Sequence, residues 1–188
     1  MTVTKVRDKR SISYSRVSIA ELMVPSYANF GGKVHGGIIL SLMDKVAYAC
    51  ASKHAGTYCV TVSVDAVNFH EPAELGDLVT LHASVNYVKK TSLVIGIKVI
   101  AENLKTGIEK HTNSSFFTMV AKGEKDEAVE VPELVLETVD DVRRFVNVIK
   151  KRKLKSNFVE MVQISRDNFA FHDDLNLLKD ESCHVVFE

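Results

Sequence analysis

The sequence predicts an α+β fold. Three observations carry this: one long segment of helical character is apolar nearly all round, four strand-like segments follow it in succession, and strands and helices do not alternate. A helix apolar on most sides is buried on most sides, as when a curved sheet wraps it. With 188 residues, 46% hydrophobic and 26% charged, the chain has a globular composition and the length of one domain with residues to spare.

The elements follow in order. After Ser11 comes a first strand-like segment, then the glycine-rich run Asn29 to Gly37. The helix is predicted from about Gly36 to His54, with Gly56 placed to stop it. Its apolar residues include Ile38, Ile39, Leu40, Leu42, Met43, Val46, Ala47 and Tyr48, interrupted by Asp44 and Lys45. Val60, Val62, Val64 and Ala66 then alternate with Thr61, Ser63 and Asp65, which predicts a half-buried strand with the valines inward. Val79 to Tyr87 repeats that period after Gly76-Asp77, Leu93 to Val99 forms a third run, and Ser114 to Ala121 a fourth. Lys105-Thr106-Gly107 reads as a hairpin turn with glycine at a position of positive φ, so these strands form an antiparallel meander.

Beyond Lys122 the character changes, which divides the chain into a domain at 1–122 and a C-terminal extension at 123–188. Glu124 to Glu130 is acidic and loop-like. Pro132 is expected to start a helix whose apolar positions include Leu136, Val142, Phe145 and Ile149, with the basic cluster Lys150 to Lys155 complementing the dipole at its C-terminal end.

Twenty-four Lys and Arg balance twenty-four Asp and Glu, which argues against the uniformly basic surface of a nucleic-acid binder. The three cysteines, Cys50, Cys59 and Cys183, form no metal spacing and no disulfide framework. The first ten residues lack an apolar run and no stretch reaches 18 apolar residues, so a cytoplasmic protein without membrane insertion is expected. Dinucleotide, P-loop, serine-hydrolase and zincin motifs do not occur. The seven histidines are dispersed, His54 and His111 read as surface residues, and no metal site is expected.

The stretch Asn29-Phe30-Gly31-Gly32-Lys33-Val34-His35-Gly36-Gly37 is the chemical signal. Four glycines let backbone approach a ligand closely, and the helix N-terminus beyond offers unpaired N–H groups to an anion or a developing oxyanion. Asp44 in the apolar helix is either an exposed-edge residue or a functional one.

In the order Asn29-x-x-Gly32-x-x-His35-Gly36-Gly37, Leu42-Met43-Asp44, Val64-Asp65-Ala66-Val67-Asn68-Phe69-His70, Gly76-Asp77, Lys90-Thr91-Ser92 and Phe116-Phe117-Thr118, the chain resembles the hotdog-fold acyl-CoA thioesterases, specifically the cytosolic brain-type acyl-CoA hydrolase group. The match spans roughly residues 15–122. The resemblance implies the hotdog fold, a long central helix wrapped by an antiparallel sheet of five to six strands. It also implies dimers joined sheet edge to sheet edge, a hexameric trimer of dimers, and active sites at the dimer interface. Asn29 and Asp44 would be catalytic, Asp44 as nucleophile or general base, with the backbone at Gly36 and Gly37 polarising the thioester oxygen. Lys89, Lys90, Thr91 and Ser92 would contact coenzyme A, while His35, Asp65 and Asn68, the last two expected within a strand, would serve the pocket or the interface. Coenzyme A would be part of the substrate and product, and no further cofactor is expected. The non-enzymatic alternative is an acyl-CoA-binding sensor or regulator that uses the same pocket without hydrolysis.

Overall fold

In the computed structural model, which describes residues 7–178 and 181–186, the predicted helix is α2, Gly36–Ala55. Residues 1–6, part of the N-terminal stretch read above for its lack of an apolar run, lie outside the described residues, as do 179–180 and 187–188 of the expected extension. His35 caps α2, its Nδ1 accepting from Gly37 N–H at 2.9 Å, and Gly56 ends the helix at φ 75°, a left-handed conformation that glycine adopts without a steric penalty.

Before α2 the chain forms β1 (Lys9–Ser11), the short α1 (Ile12–Ser15), β2 (Val17–Leu22) and a single 3-10 turn at Pro25–Tyr27. After it come β3 (Cys59–Val64), β4 (Asp77–Val88), β5 (Ser92–Asn103) and β6 (Ile108–Ala121), then β7 (Glu133–Val135). The main sheet has five strands in the order β2-β4-β5-β6-β3, every neighbour pair antiparallel, and β1 pairs with β7 in a separate parallel ribbon. The β5–β6 hairpin turns at Gly107, φ 69°, as its sequence predicts.

The hydrophobic core lies between α2 and one face of this sheet. Ile39, Leu42, Met43, Val46, Ala47 and Cys50 of α2 meet Val79, Leu81, Val85, Leu93, Ile95, Val99, Phe117 and Met119 of the strands. This is the hotdog arrangement of a long helix against an antiparallel sheet.

Several local expectations are corrected. β3 stops at Val64, short of the expected Ala66, so Asp65 and Asn68 lie in irregular backbone rather than in a strand. The valines are also not the buried set: Cys59 is buried whereas Val62 and Val64 are 55% and 45% exposed. An edge strand has one partner only, and a register shift between Thr61 and Ser63 breaks the alternation on which the expectation relied. His54, expected at the surface, is fully buried, with Nε2 3.2 Å from Pro132 O and Nδ1 3.4 Å from Ser15 Oγ.

Pro132 does not start a helix; it leads into β7. Thr138 and Asp141 form a reciprocal cap, Asp141 N–H to Thr138 Oγ1 at 3.1 Å and Thr138 N–H to Asp141 Oδ2 at 3.0 Å, and α3 runs Val139–Asp167. The basic cluster at 150–155 therefore sits mid-helix, away from the terminal carbonyls whose charge it was expected to complement.

The chain forms two compact units, Met1–Val148 and Ile149–Glu188. The first continues past Lys122: Val131 is buried in the core, with Val129 and Leu134 packed against it. The second holds the remainder of α3, then α4 (Phe171–Asp174) and a 3-10 turn at Leu175–Leu178.

Candidate active site

Asp44 lies two turns into α2. Two turns of spacing bring residues at i−4 and i+4 onto one flank, so Leu40, Asp44 and Tyr48 share a face. In the single chain that face is open, with Asp44 exposed and Leu40 and Tyr48 38% and 43% exposed. The expectation of a helix buried on most sides is thus corrected on this flank, where an acid sits between two apolar side chains.

Across from it, β3 brings Thr61. Its hydroxyl donates to Asp44 Oδ1 at 2.6 Å and lies 3.1 Å from Met119 Sδ. Thr61 is a site residue that the reading of motifs and alternation does not single out. The signal was present: Cys59 and Thr61 share a face at period two, and Cys59 is an apolar anchor for α2. A hydroxyl held on one carboxylate oxygen fixes the Asp44 rotamer and leaves the second oxygen, Oδ2, for a water or a substrate atom.

The glycine-rich run forms a tight hairpin before the helix. Asn29 Oδ1 accepts from Gly31 N–H at 2.9 Å and from Lys33 N–H at 3.1 Å, while Asn29 N–H donates to Lys33 O at 2.7 Å. Its carboxamide oxygen closes the turn, and its Nδ2 takes no part in these bonds. His35 accepts through Nδ1, which makes Nε2 the protonated nitrogen of the neutral ring and engages Gly37 N–H in the cap. Gly36 is the first helical residue, and its N–H has no intrahelical acceptor. The Phe69 ring lies over it, so close that a Cβ at Gly36 would stand 3.3 Å from the ring, while Phe69 itself is 49% exposed.

Asp65 N–H donates to Phe116 O at 3.0 Å, and Asp65 O accepts from Ser115 Oγ at 3.1 Å, so the segment after β3 stays tied to β6. Asn68 is exposed on the same segment, one residue before Phe69.

The structure brings Asp44 to Thr61 but not to the glycine-rich turn. Eight residues of helix separate Gly36 from Asp44, about 12 Å along the axis at 1.5 Å per residue. Reacting groups must approach within about 3–3.5 Å, so Gly36 and Asp44 of one chain do not serve one carbonyl.

Lys89, Lys90, Thr91 and Ser92 form the β4–β5 turn. Lys89 N–H donates to Ser92 O at 2.8 Å, Thr91 O accepts from Ala121 N–H at 3.0 Å, and Lys90 O accepts from Val131 N–H at 3.0 Å. Lys90 Nζ pairs with Glu130 at 3.5 Å; Lys89 makes no ion pair among the described residues. Strand register relates this turn to Thr61. Thr61, Met119 and Leu93 form one cross-strand row, and Val60, Val120 and Ser92 form the next. The turn therefore borders the row that carries the Thr61–Asp44 pair, two strand spacings or about 10 Å away.

Other nucleophiles are poorly placed. Burial pushes the Cys50 thiol up to about 12 and also raises that of Cys59, so neither is a thiolate at neutral pH. Among the described residues, no group of three or more His, Cys, Asp or Glu is arranged to hold a metal ion.

Comparison with known proteins places this geometry in a family. The thioesterase superfamily model matches residues 31–108, from the glycine-rich turn through β5. Protein VdlD of Helicobacter pylori is 40% identical over 142 residues, covering 76% of this chain and 81% of that protein. The human cytosolic acyl coenzyme A thioester hydrolase is 36% identical over 140 residues, 73% of this chain and 37% of that one. The crystal structure of an apo-hexameric acyl-CoA thioesterase superposes with TM-score 0.78 at 30% identity, covering 81% of this chain and 97% of that chain. A helix flank carrying an acid and a strand hydroxyl, on a hotdog scaffold with relatives at this identity and coverage, places the chain in the thioesterase superfamily.

Proposed function

We propose that this protein hydrolyses acyl-CoA to a free carboxylic acid and coenzyme A. The observation that carries the reading is the Asp44 carboxylate, held through one oxygen by Thr61 at 2.6 Å on an open helix flank, in a chain of the thioesterase superfamily.

Hydrolysis joins a water oxygen to the thioester carbon, breaks the carbon–sulfur bond and returns a proton to the leaving thiolate. The Asp44 carboxylate acts through Oδ2, either taking the proton from the attacking water or attacking the carbonyl itself. The carbonyl oxygen gains charge in both routes and needs donors aimed at it. Gly36 N–H, at the positive end of α2, and the Asn29 carboxamide nitrogen supply such donors. The separation of about 12 Å along one helix supports a site shared between two copies, Asn29 and the helix N-terminus from one and Asp44 with Thr61 from the other. Gly37 N–H, capped by His35, would need that cap to open before it could contribute.

Coenzyme A is bound in this reading along the Lys89–Ser92 turn, where lysines offer charge to phosphates and Ser and Thr offer hydrogen bonds. Asp65 and Asn68 line the pocket or the contact between copies. The place of β3 at the edge of the five-stranded sheet favours joining two sheets, and the apo-hexameric relative supports a trimer of dimers. The thioesterase motifs lie within residues 1–122, the compact unit that carries them runs on to Val148, the protein is cytoplasmic, and no cofactor is required beyond the coenzyme A of its substrate. Its motifs resemble those of the brain-type cytosolic hydrolases, and the human cytosolic relative is 36% identical over 140 residues.

Thiol release from acyl-CoA, followed with a thiol-reactive dye across chain lengths, tests the reading. Release that disappears in Asp44→Ala is the expected result. Binding of acyl-CoA without release, unchanged in Asp44→Ala, would make the protein a sensor instead.

A further inference from the structure

We propose a second ligand site on the face of the sheet opposite α2, a groove that binds a small phosphate-bearing anion. Strand alternation creates it. Val79, Leu81, Ala83 and Val85 of β4 face the core, so His82, Ser84 and Asn86 face outward, and on β5 Gly96 and Lys98 do the same. The cavity there has a volume of about 640 Å³, within the range of about 300–1,000 Å³ typical of small-molecule sites.

Its floor is polar and constructed. Asn86 lies across β5 at Gly96, where a Cβ would stand 2.2 Å from Asn86 Nδ2. Ser84 Oγ donates to Asn86 Oδ1 at 2.9 Å, which turns the carboxamide so that its nitrogen is the end left to donate. Both residues are buried, yet they are on the side away from the hydrophobic core. Burying polar groups there stabilises nothing by itself.

The rim is cationic. Arg16, Lys98, Arg143 and Arg144 line the cavity with His82. Asp140 holds the two arginines of α3 side by side, accepting from Arg143 Nε at 2.9 Å and Arg144 Nε at 2.6 Å, and Arg144 Nη1 reaches Ser84 Oγ at 3.4 Å. Asp141 lies 3.8 Å from Arg16. Four basic side chains thus face two carboxylates, and Lys98 has no ion pair among the described residues. A surplus of two positive charges with hydroxyl and amide donors beneath matches a phosphate dianion or a diphosphate; guanidinium forks suit its planar pairs of oxygens. The sheet separates this groove from Thr61 and Asp44, so it does not depend on the thioesterase reading.

The test is calorimetric titration of the full-length protein with inorganic pyrophosphate at low ionic strength, with ADP and coenzyme A as competitors. Saturable binding that weakens about tenfold in Lys98→Ala or Arg16→Ala, the loss of one charge-assisted contact, is expected. Lys105→Ala, on the distant hairpin, should bind like the parent, and thiol release should be unchanged in Lys98→Ala. Competition by ADP alone would identify a free nucleotide-like ligand, and competition by coenzyme A the nucleotide end of the substrate; both support the groove. No saturable binding, or equal binding in Lys98→Ala and Arg16→Ala with folding intact, overturns it. So does loss of assembly in those variants with no pyrophosphate bound, which would make the face a contact between copies.

Discussion

Replacing Thr61 with valine removes one oxygen and little volume, so β3 keeps its shape while Asp44 loses its neighbour. The bond removed is 2.6 Å long and ends on a carboxylate oxygen. Hydrogen bonds to charged groups contribute about 1.5–3 kcal/mol, and about 1.4 kcal/mol is tenfold in rate. Both side chains reach solvent in the single chain, so water replaces part of the lost contact and the lower end of that range applies. Thiol release by Thr61→Val should therefore fall about tenfold in kcat, with a smaller change in KM, because the bond orients the reacting acid rather than the substrate. Asp44→Ala should fall much further. The double variant Asp44→Ala with Thr61→Val should be no slower than Asp44→Ala, since Thr61 acts through Asp44. Activity of Thr61→Val within twofold of the parent, in a protein with unchanged melting temperature, would refute the positioning role. Additive losses in the double variant would refute the route through Asp44.

Three further outcomes are expected. Mixing inactive Asn29→Ala and Asp44→Ala subunits should restore part of the thiol release if each site draws on two chains; no rescue after demonstrated subunit exchange counts against a shared site. Burial holds His54 below its ordinary pKa, so the unfolded chain takes up a proton first as pH falls below about 6.5, and stability present above that pH is lost as pH drops through the folded value. Urea midpoints at about pH 7.5 and about pH 5.5 should differ more in the parent than in His54→Gln, and an equal difference would exclude His54 as the source. Gly96→Ala sets a methyl 2.2 Å from Asn86 Nδ2 and should cost about 1–3 kcal/mol in denaturant unfolding, because Asn86 must leave its bond to Ser84 to make room; an unchanged midpoint would show that the floor of the groove gives way freely.

The sequence by itself determined the elements whose signals are local. The apolar period of α2, its glycine stop at Gly56 and the Gly107 turn depend on residues a few positions apart, and each forms where predicted. The motif order from Asn29 to Thr118 identified the family, because those residue types serve one scaffold. Asp44 stood out as an acid interrupting an apolar helix. What required tertiary structure was every statement about a neighbour distant in the chain. Which face of β3 is inward depends on its place at the sheet edge and on its register shift against β6, so Thr61 remained hidden until α2 lay across it. His54 is buried by Ser15 and Pro132, residues 39 and 78 positions away, and the chain after Pro132 forms a strand because β1 offers Glu133 to Val135 a partner. The basic groove behind the sheet is likewise a product of packing: a pattern of side chains records which face each residue prefers, whereas the fold decides what that face meets.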